Sequence, residues 1–136
     1  MLTVRTDHAP LHSNQDIVGV RQVVRSWCLA IQMGLVDLTK IVTAASEIAR
    51  NTVEHGQGGT FTIDELRDGV RKGLRLTFVD EGPGIDDIPR AMTDGYTSGS
   101  GMGLGLGGTR RLVDEFHIES TPGHGTRIVI TKWSSR

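Results

Sequence analysis

The chain has 136 residues, 37% of them hydrophobic and 23% charged, and a formal net charge of −1. That suits one domain with a buried core, residues 1–136, and leaves no room for a second. A near-neutral chain without a Lys/Arg block excludes nucleic acid as the expected partner, and without a membrane-length apolar run or a signal-peptide pattern it is expected in the cytoplasm, away from membranes.

Residues 2–7 alternate weakly, as an edge strand does. Ser13 stands as a cap before a helix expected over Asn14–Met33, with Ile17, Val20, Val23 or Val24, Trp27 and Ile31 as its apolar stripe. The single cysteine, Cys28, falls among these apolar residues, reads as a core thiol and excludes an internal disulfide. Gly34 stops this helix, and a second is expected over Asp37–Glu54 with Gly56 as its C-terminal cap. Two strands follow, Thr60–Leu66 and Leu74–Asp80, joined by the charged, glycine-containing loop Arg67–Gly73. A short helix is expected at Ile88–Thr93, then a glycine-rich stretch over 95–105 and a helix over Leu106–Glu115. Two closing strands, His117–Thr121 and Arg127–Lys132, flank Pro122-Gly123-His124-Gly125. Strands in adjacent pairs with helices between them predict an α+β fold, with helices on one face of a mixed, mostly antiparallel sheet.

Three segments carry chemistry. On the second helix, at about 100° per residue, Leu38, Ile41, Val42, Ala45, Ile48, Ala49 and Thr52 share one side. Lys40, Ala44, Glu47, Asn51 and Glu54 share the other. Glu47 and Asn51 are four apart and project together. An Asn carbonyl is an oxygen ligand suited to Mg²⁺, and a nearby carboxylate can take a proton from a hydroxyl. At the end of the second hairpin strand stands Asp80-Glu81-Gly82-Pro83-Gly84. Gly-Pro-Gly is turn chemistry, but a turn gives no reason for Asp80, whose carboxylate could accept the exocyclic amine of an adenine. The third segment is Gly95 to Gly108, where glycines free of Cβ allow backbone N–H groups to crowd around phosphates, and the helix after it would aim its first N–H groups the same way.

Other glycine motifs are excluded. Gly103, Gly105 and Gly108 match G-x-G-x-x-G, but no strand precedes them and no acidic residue lies about 20 positions on. A Walker A loop lacks its lysine, and H-R-D and D-F-G are missing. The five histidines form no zinc-ligand pattern.

Glu47-Ile48-Ala49-Arg50-Asn51, Asp80-Glu81-Gly82-Pro83-Gly84 and Gly101-Met102-Gly103-Leu104-Gly105, in this order, resemble the N box and two glycine boxes of the GHKL superfamily. The resemblance implies a Bergerat-type two-layer sandwich binding ATP with Mg²⁺. Asn51 would ligate the metal, Asp80 would bind adenine beside Gly82 and Gly84, and Gly99, Gly101, Met102, Gly103, Leu104 and Gly105 would wrap the phosphates. Thr126 matches a position that supports adenine recognition.

Within that superfamily Ser46–Asn51, Asp94–Tyr96, Gly103–Gly108, Arg111–Phe116 and Lys132-Trp133 are similar to the RsbT-type switch kinases. Such proteins phosphorylate Ser or Thr on a STAS-domain antagonist, then bind an effector such as a PP2C-type phosphatase. Glu47 would be the general base, and Arg50 fits the switch-kinase pattern better than the anti-sigma one. Two alternatives stay open: an anti-sigma factor acting by sequestration, and a detached histidine-kinase catalytic domain. A homodimer is also open, the first helix and N-terminal strand being free to pack on another chain.

Overall fold

The computed structural model describes residues 1–84, 88, 92 and 105–135. The elements are β1 (Leu2–Leu11), α1 (Asn14–Ala30), α2 (Leu35–Glu54), β2 (Gly59–Asp68), β3 (Arg71–Asp80), α3 (Gly105–Arg110), β4 (Glu115–Ser120) and β5 (Thr126–Trp133). The strands form one sheet in the order β1-β2-β3-β5-β4. The expected α+β fold with helices on one face is present. Among the described residues, however, the sheet is antiparallel at every pairing and not mixed. β3 and β4 run the same way, but β5 lies between them, so no parallel pair forms.

The core follows from the register. Phe61, Phe78 and Ile128 stand in one row across β2, β3 and β5, and Ile63, Leu76 and Ile130 in the next. Both rows are buried under the helices. The Phe61 and Phe78 rings meet at a centroid distance of 5.2 Å. α1 lays Ile17, Val20, Val24, Trp27 and Cys28 on them, and α2 lays Leu38, Ile41, Ala45, Ile48 and Ala49. Burial pushes the Cys28 thiol up to about 12, so it stays a neutral core group, as expected.

α1 starts where its sequence signals. Ser13 Oγ accepts from the Asp16 N–H at 3.3 Å, and Asp16 Oδ2 accepts from the Ser13 N–H at 3.2 Å and the His12 N–H at 2.8 Å. Those backbone donors, His12 foremost, hold the Asp16 carboxyl below its usual range. The helix ends at Ala30, short of Met33. Gln32 turns to a φ of 60°, and the Met33 N–H closes on Cys28 O at 2.9 Å.

α2 lies between α1 and α3. With neighbours on two sides and the sheet beneath, it buries Ala44 and Glu47 as well as its apolar stripe. Glu47, placed by periodicity on the polar side, is 8% exposed. β1 is longer than residues 2–7 and includes Pro10, tolerated because an outer strand has one side with no ladder to break. The register of β1 on β2 is irregular between Thr3 and Arg5, and the His8 N–H is taken by Asp7 Oδ1 at 2.8 Å.

α3 is six residues long, not the ten expected over Leu106–Glu115. Asp114 leaves the helix because its N–H donates to Thr131 O at 2.9 Å and its Oδ2 accepts the Trp133 N–H at 2.7 Å. Of the helix expected at Ile88–Thr93, the Met92 N–H donates to Ile88 O at 2.9 Å, one helical turn. The rest lies outside the described residues. At the end of the sheet away from Asp80, the buried Lys132 sits 3.6 Å from Asp37 and 3.9 Å from Asp114.

Candidate functional site

Asn51, Thr52, His55, Gly56, Asp80, Gly84, Thr126 and Ile128 line one cleft of about 320 Å³, counted to its open mouth. Three elements converge there. The last turn of α2 supplies Asn51 and Thr52 and its C-cap supplies His55; the end of β3 supplies Asp80; the start of β5 supplies Thr126 and Ile128. Asp80 and Thr126 are paired across β3 and β5, so one register fixes their separation.

Asp80 is held from several sides. Its Oδ1 accepts from the Gly82 N–H at 2.9 Å. Burial raises its carboxyl above the usual value, and backbone hydrogen bonds from Gly82 and Thr126 pull it part of the way back. A carboxylate with one oxygen so anchored keeps acceptor capacity for a ligand's amine. Thr126 is buried, and its hydroxyl lies 2.8 Å from Ser120 Oγ.

The glycines of the Asp80 loop have reasons inside the protein. A Cβ on Gly56 would lie 2.3 Å from Asp80 Cγ, and one on Gly82 would lie 2.6 Å from Gly56 O. One on Gly84, at φ +78°, would lie 2.4 Å from Thr121 O. Gly125, at φ +88°, would meet Asp80 O at 2.2 Å. The loop after β3 is thus packed backbone to backbone against the end of α2 and the β4–β5 turn, and the Gly123 N–H donates to Pro83 O at 2.7 Å. Gly82 was expected at the ligand. It supports Asp80 from behind and is not among the cleft-lining residues.

Glu47 sits one turn before Asn51 on α2, 3.6 Å from Arg50, and does not line the cleft. Gly105 opens α3 at φ +64°. Gly99, Gly101, Met102, Gly103 and Leu104 lie outside the described residues. Sequence reasoning missed Thr52, His55 and Ile128 as cleft residues and read Gly56 only as a helix cap. Thr52 follows Asn51, and Ile128 shares a face with Thr126, so both follow once the cleft is known.

Among the described residues no three His, Cys, Asp or Glu side chains gather as a metal cage. The donor set does suit Mg²⁺ brought in with phosphates, since that ion takes one or two protein oxygens and fills its shell from phosphate and water. The Asn51 amide oxygen would be the protein's share. Among the described residues no helix is long and apolar enough to cross a membrane.

The family profile described as histidine kinase-, DNA gyrase B-, and HSP90-like ATPase matches residues 36–135. The serine/threonine-protein kinase RsbT of Bacillus subtilis (strain 168) is 42% identical over 118 residues, 87% of this chain and 89% of that one. The anti-sigma F factor of Thermoanaerobacter sp. (strain X514) is 31% identical, over 90% of this chain and 89% of that one. Among solved structures, the RsbU and RsbW domains of Rv1364c from Mycobacterium tuberculosis match in fold with a TM-score of 0.67 and 24% identity. That match covers 98% of this chain and 34% of that one. The nucleotide-free catalytic domain of the histidine kinase ThkA matches with a TM-score of 0.51 and 16% identity, over 93% of this chain and 95% of that one. The cleft sits where the N box and the first glycine box meet, and the chain belongs to the histidine kinase-, DNA gyrase B- and HSP90-like ATPase family, with RsbT and anti-sigma F factors among its relatives.

Proposed function

We propose that the protein is an ATP- and Mg²⁺-dependent serine/threonine kinase that phosphorylates a STAS-domain partner in a bacterial partner-switching pathway, and then binds an effector such as a PP2C-type phosphatase. The observation that carries this reading is the convergence of Asn51, Asp80 and Thr126 on one cleft from three elements. The 42% identity to RsbT supports the choice of reaction. Asp80 selects the base by accepting its amine, with Thr126 beside it. Asn51 offers its oxygen to the cation that neutralises the phosphates, which is the chemistry Mg²⁺ supplies when bound. Glu47 takes the proton of the incoming hydroxyl. Gly99 to Gly105 enclose the phosphates.

The test is transfer of labelled γ-phosphate to a purified STAS-domain protein. We expect acid-stable label on Ser or Thr, and a loss of at least about 100-fold with Asn51→Ala. Absence of transfer to any STAS protein, with Asn51→Ala equal to wild type, would sink the proposal. Acid-labile label would point instead to a histidine-kinase catalytic domain. The anti-sigma F relatives favour one second reading, sequestration of a sigma factor. A stable complex with a sigma factor and no phosphotransfer would establish it.

A further inference from the structure

Glu47 stands beside a cleft that it does not face. It is buried on α2 one turn before Asn51, yet the cleft is lined from that helix by Asn51 and Thr52 and not by Glu47. Its carboxylate is held instead by Arg50, whose Nη1 lies 3.6 Å from Glu47 Oε2. Among the described residues the Glu47 carboxylate has no other ion pair or hydrogen bond.

The helix gives this glutamate two directions. At about 100° per residue, Asn51 stands about 40° to one flank of Glu47 and Arg50 about 60° to the other. Helical side chains lean toward the N-terminus, so both lean back toward Glu47. On the Asn51 flank the carboxylate would reach the cleft. On the Arg50 flank it is kept outside, and that is where the structure has it.

The restraint is one that can be undone. Arg50 is 26% exposed, and at 3.6 Å the pair is longer than a hydrogen bond. Among the described residues no second acceptor takes the guanidinium. Its five N–H donors are therefore largely free for another partner.

Phosphoryl transfer supplies a reason to keep a base outside. The nucleophile's oxygen attacks the γ-phosphorus of ATP, and its proton passes to Glu47. The bond from that phosphorus to the bridging oxygen breaks, and its electron pair leaves on ADP. Water reacts in the same way, giving free phosphate, and it is far more abundant than any protein hydroxyl. A carboxylate standing ready beside bound ATP would serve water and serine alike. No cleft open to ATP can exclude water by shape, so the choice has to come from assembling the base only with the right substrate present.

We infer that Arg50 is a positioning residue that withholds Glu47 from the cleft until the protein substrate arrives, and so suppresses hydrolysis of ATP. The arriving surface excludes water and offers the guanidinium another acceptor, and Glu47 turns to the Asn51 flank. The inference rests on the proposed function, with Glu47 as its base.

Phosphate release by the full chain, at saturating Mg²⁺-ATP and with no protein partner, tests it. Arg50→Met keeps the stem and removes the charge. It is expected to raise hydrolysis about fivefold, the bias that a pair of this exposure gives. Arg50→Lys keeps a cation and stays within about twofold of wild type. Adding Glu47→Gln to Arg50→Met removes the gain. The thermal shift with Mg²⁺-ATP stays that of wild type in both Arg50 variants. Unchanged or slower hydrolysis in Arg50→Met overturns the inference, in favour of a structural role if the thermal shift is lost too, and leaves the kinase reading standing. A gain that survives in the double variant also overturns it. A single Glu47→Gln variant that phosphorylates the STAS protein as fast as wild type removes the base itself, and the inference falls with that part of the reading.

Discussion

Asp80 carries a cost in the folded chain that a ligand donor would relieve under the proposed function. Burial holds its carboxyl above the ordinary value, so the group takes up a proton more readily in the folded chain than in the unfolded one. A group shifted this way adds stability at acid pH and loses that contribution as pH rises through its folded value. At neutral pH the ionised group is therefore a burden until a donor arrives. Asp80→Asn keeps the shape and an oxygen for the Gly82 N–H. It is expected to raise the melting temperature of the nucleotide-free protein by about 2 °C. It is also expected to abolish the upward shift expected of wild type with Mg²⁺-ATP under the proposed function, about 3 kcal/mol at a hundredfold excess over Kd. A nucleotide shift that survives the substitution removes Asp80 from base recognition. Glu47 is tested separately: Glu47→Gln should leave that thermal shift intact and slow phosphotransfer by at least about 100-fold. Loss of the shift instead would reassign Glu47 to a structural role.

Among the elements, α1 owes its start to local sequence and its position to packing. Ser13→Ala removes one half of the reciprocal cap with Asp16. The expected cost is about 1 kcal/mol, a drop of about 3–4 °C in thermal melting followed by circular dichroism. No change would mean that Asp16 alone sustains the helix start through His12. The same contrast governs what could be read in advance. The Ser13 cap, the apolar stripe of α2 and the β2–β3 hairpin are local, and each is present, although the hairpin strands run to Asp68 and resume at Arg71 where a loop over Arg67–Gly73 was expected. Features set by distant neighbours were not legible. Periodicity put Glu47 on the polar side without showing its burial, because a two-sided pattern cannot represent a helix flanked by α1 and α3. The expected extension of α3 to Glu115 failed because Asp114 is drawn to Thr131 and Trp133 on β5. At the cleft, Asp80 stood out as a carboxylate that turn chemistry does not explain, and Asn51 as an amide one turn after Glu47 on the same side of the helix. The packing roles of Gly56, Gly84 and Gly125 depend on segments far apart in the chain and needed coordinates.

At the scale of the whole molecule, the end of the sandwich remote from Asp80 is closed by Lys132. It ties Asp37 on α2 to Asp114 in the connection before β4. The Ser135 hydroxyl, with Lys132 behind it, holds the Asp37 carboxyl below its ordinary value of 3.8. Its contribution is present above that value and is lost as pH falls through the lower folded value. Lys132→Met leaves two carboxylates facing each other without their cation. It should cost about 2 kcal/mol at neutral pH, about 6 °C in melting temperature, and should flatten the acid limb of the stability profile. An unchanged acid limb would show that Ser135 acts alone on Asp37.

The outer margin of the sheet has its own consequence. Pro10 has no N–H to offer, the His8 N–H is already taken by Asp7, and the irregularity between Thr3 and Arg5 breaks the spacing of the remaining groups. An incoming extended peptide would find this border a poor template. The chain can therefore carry a ten-residue strand on its rim without growing into open-ended fibres, and whatever assembles on that side must do so through side chains.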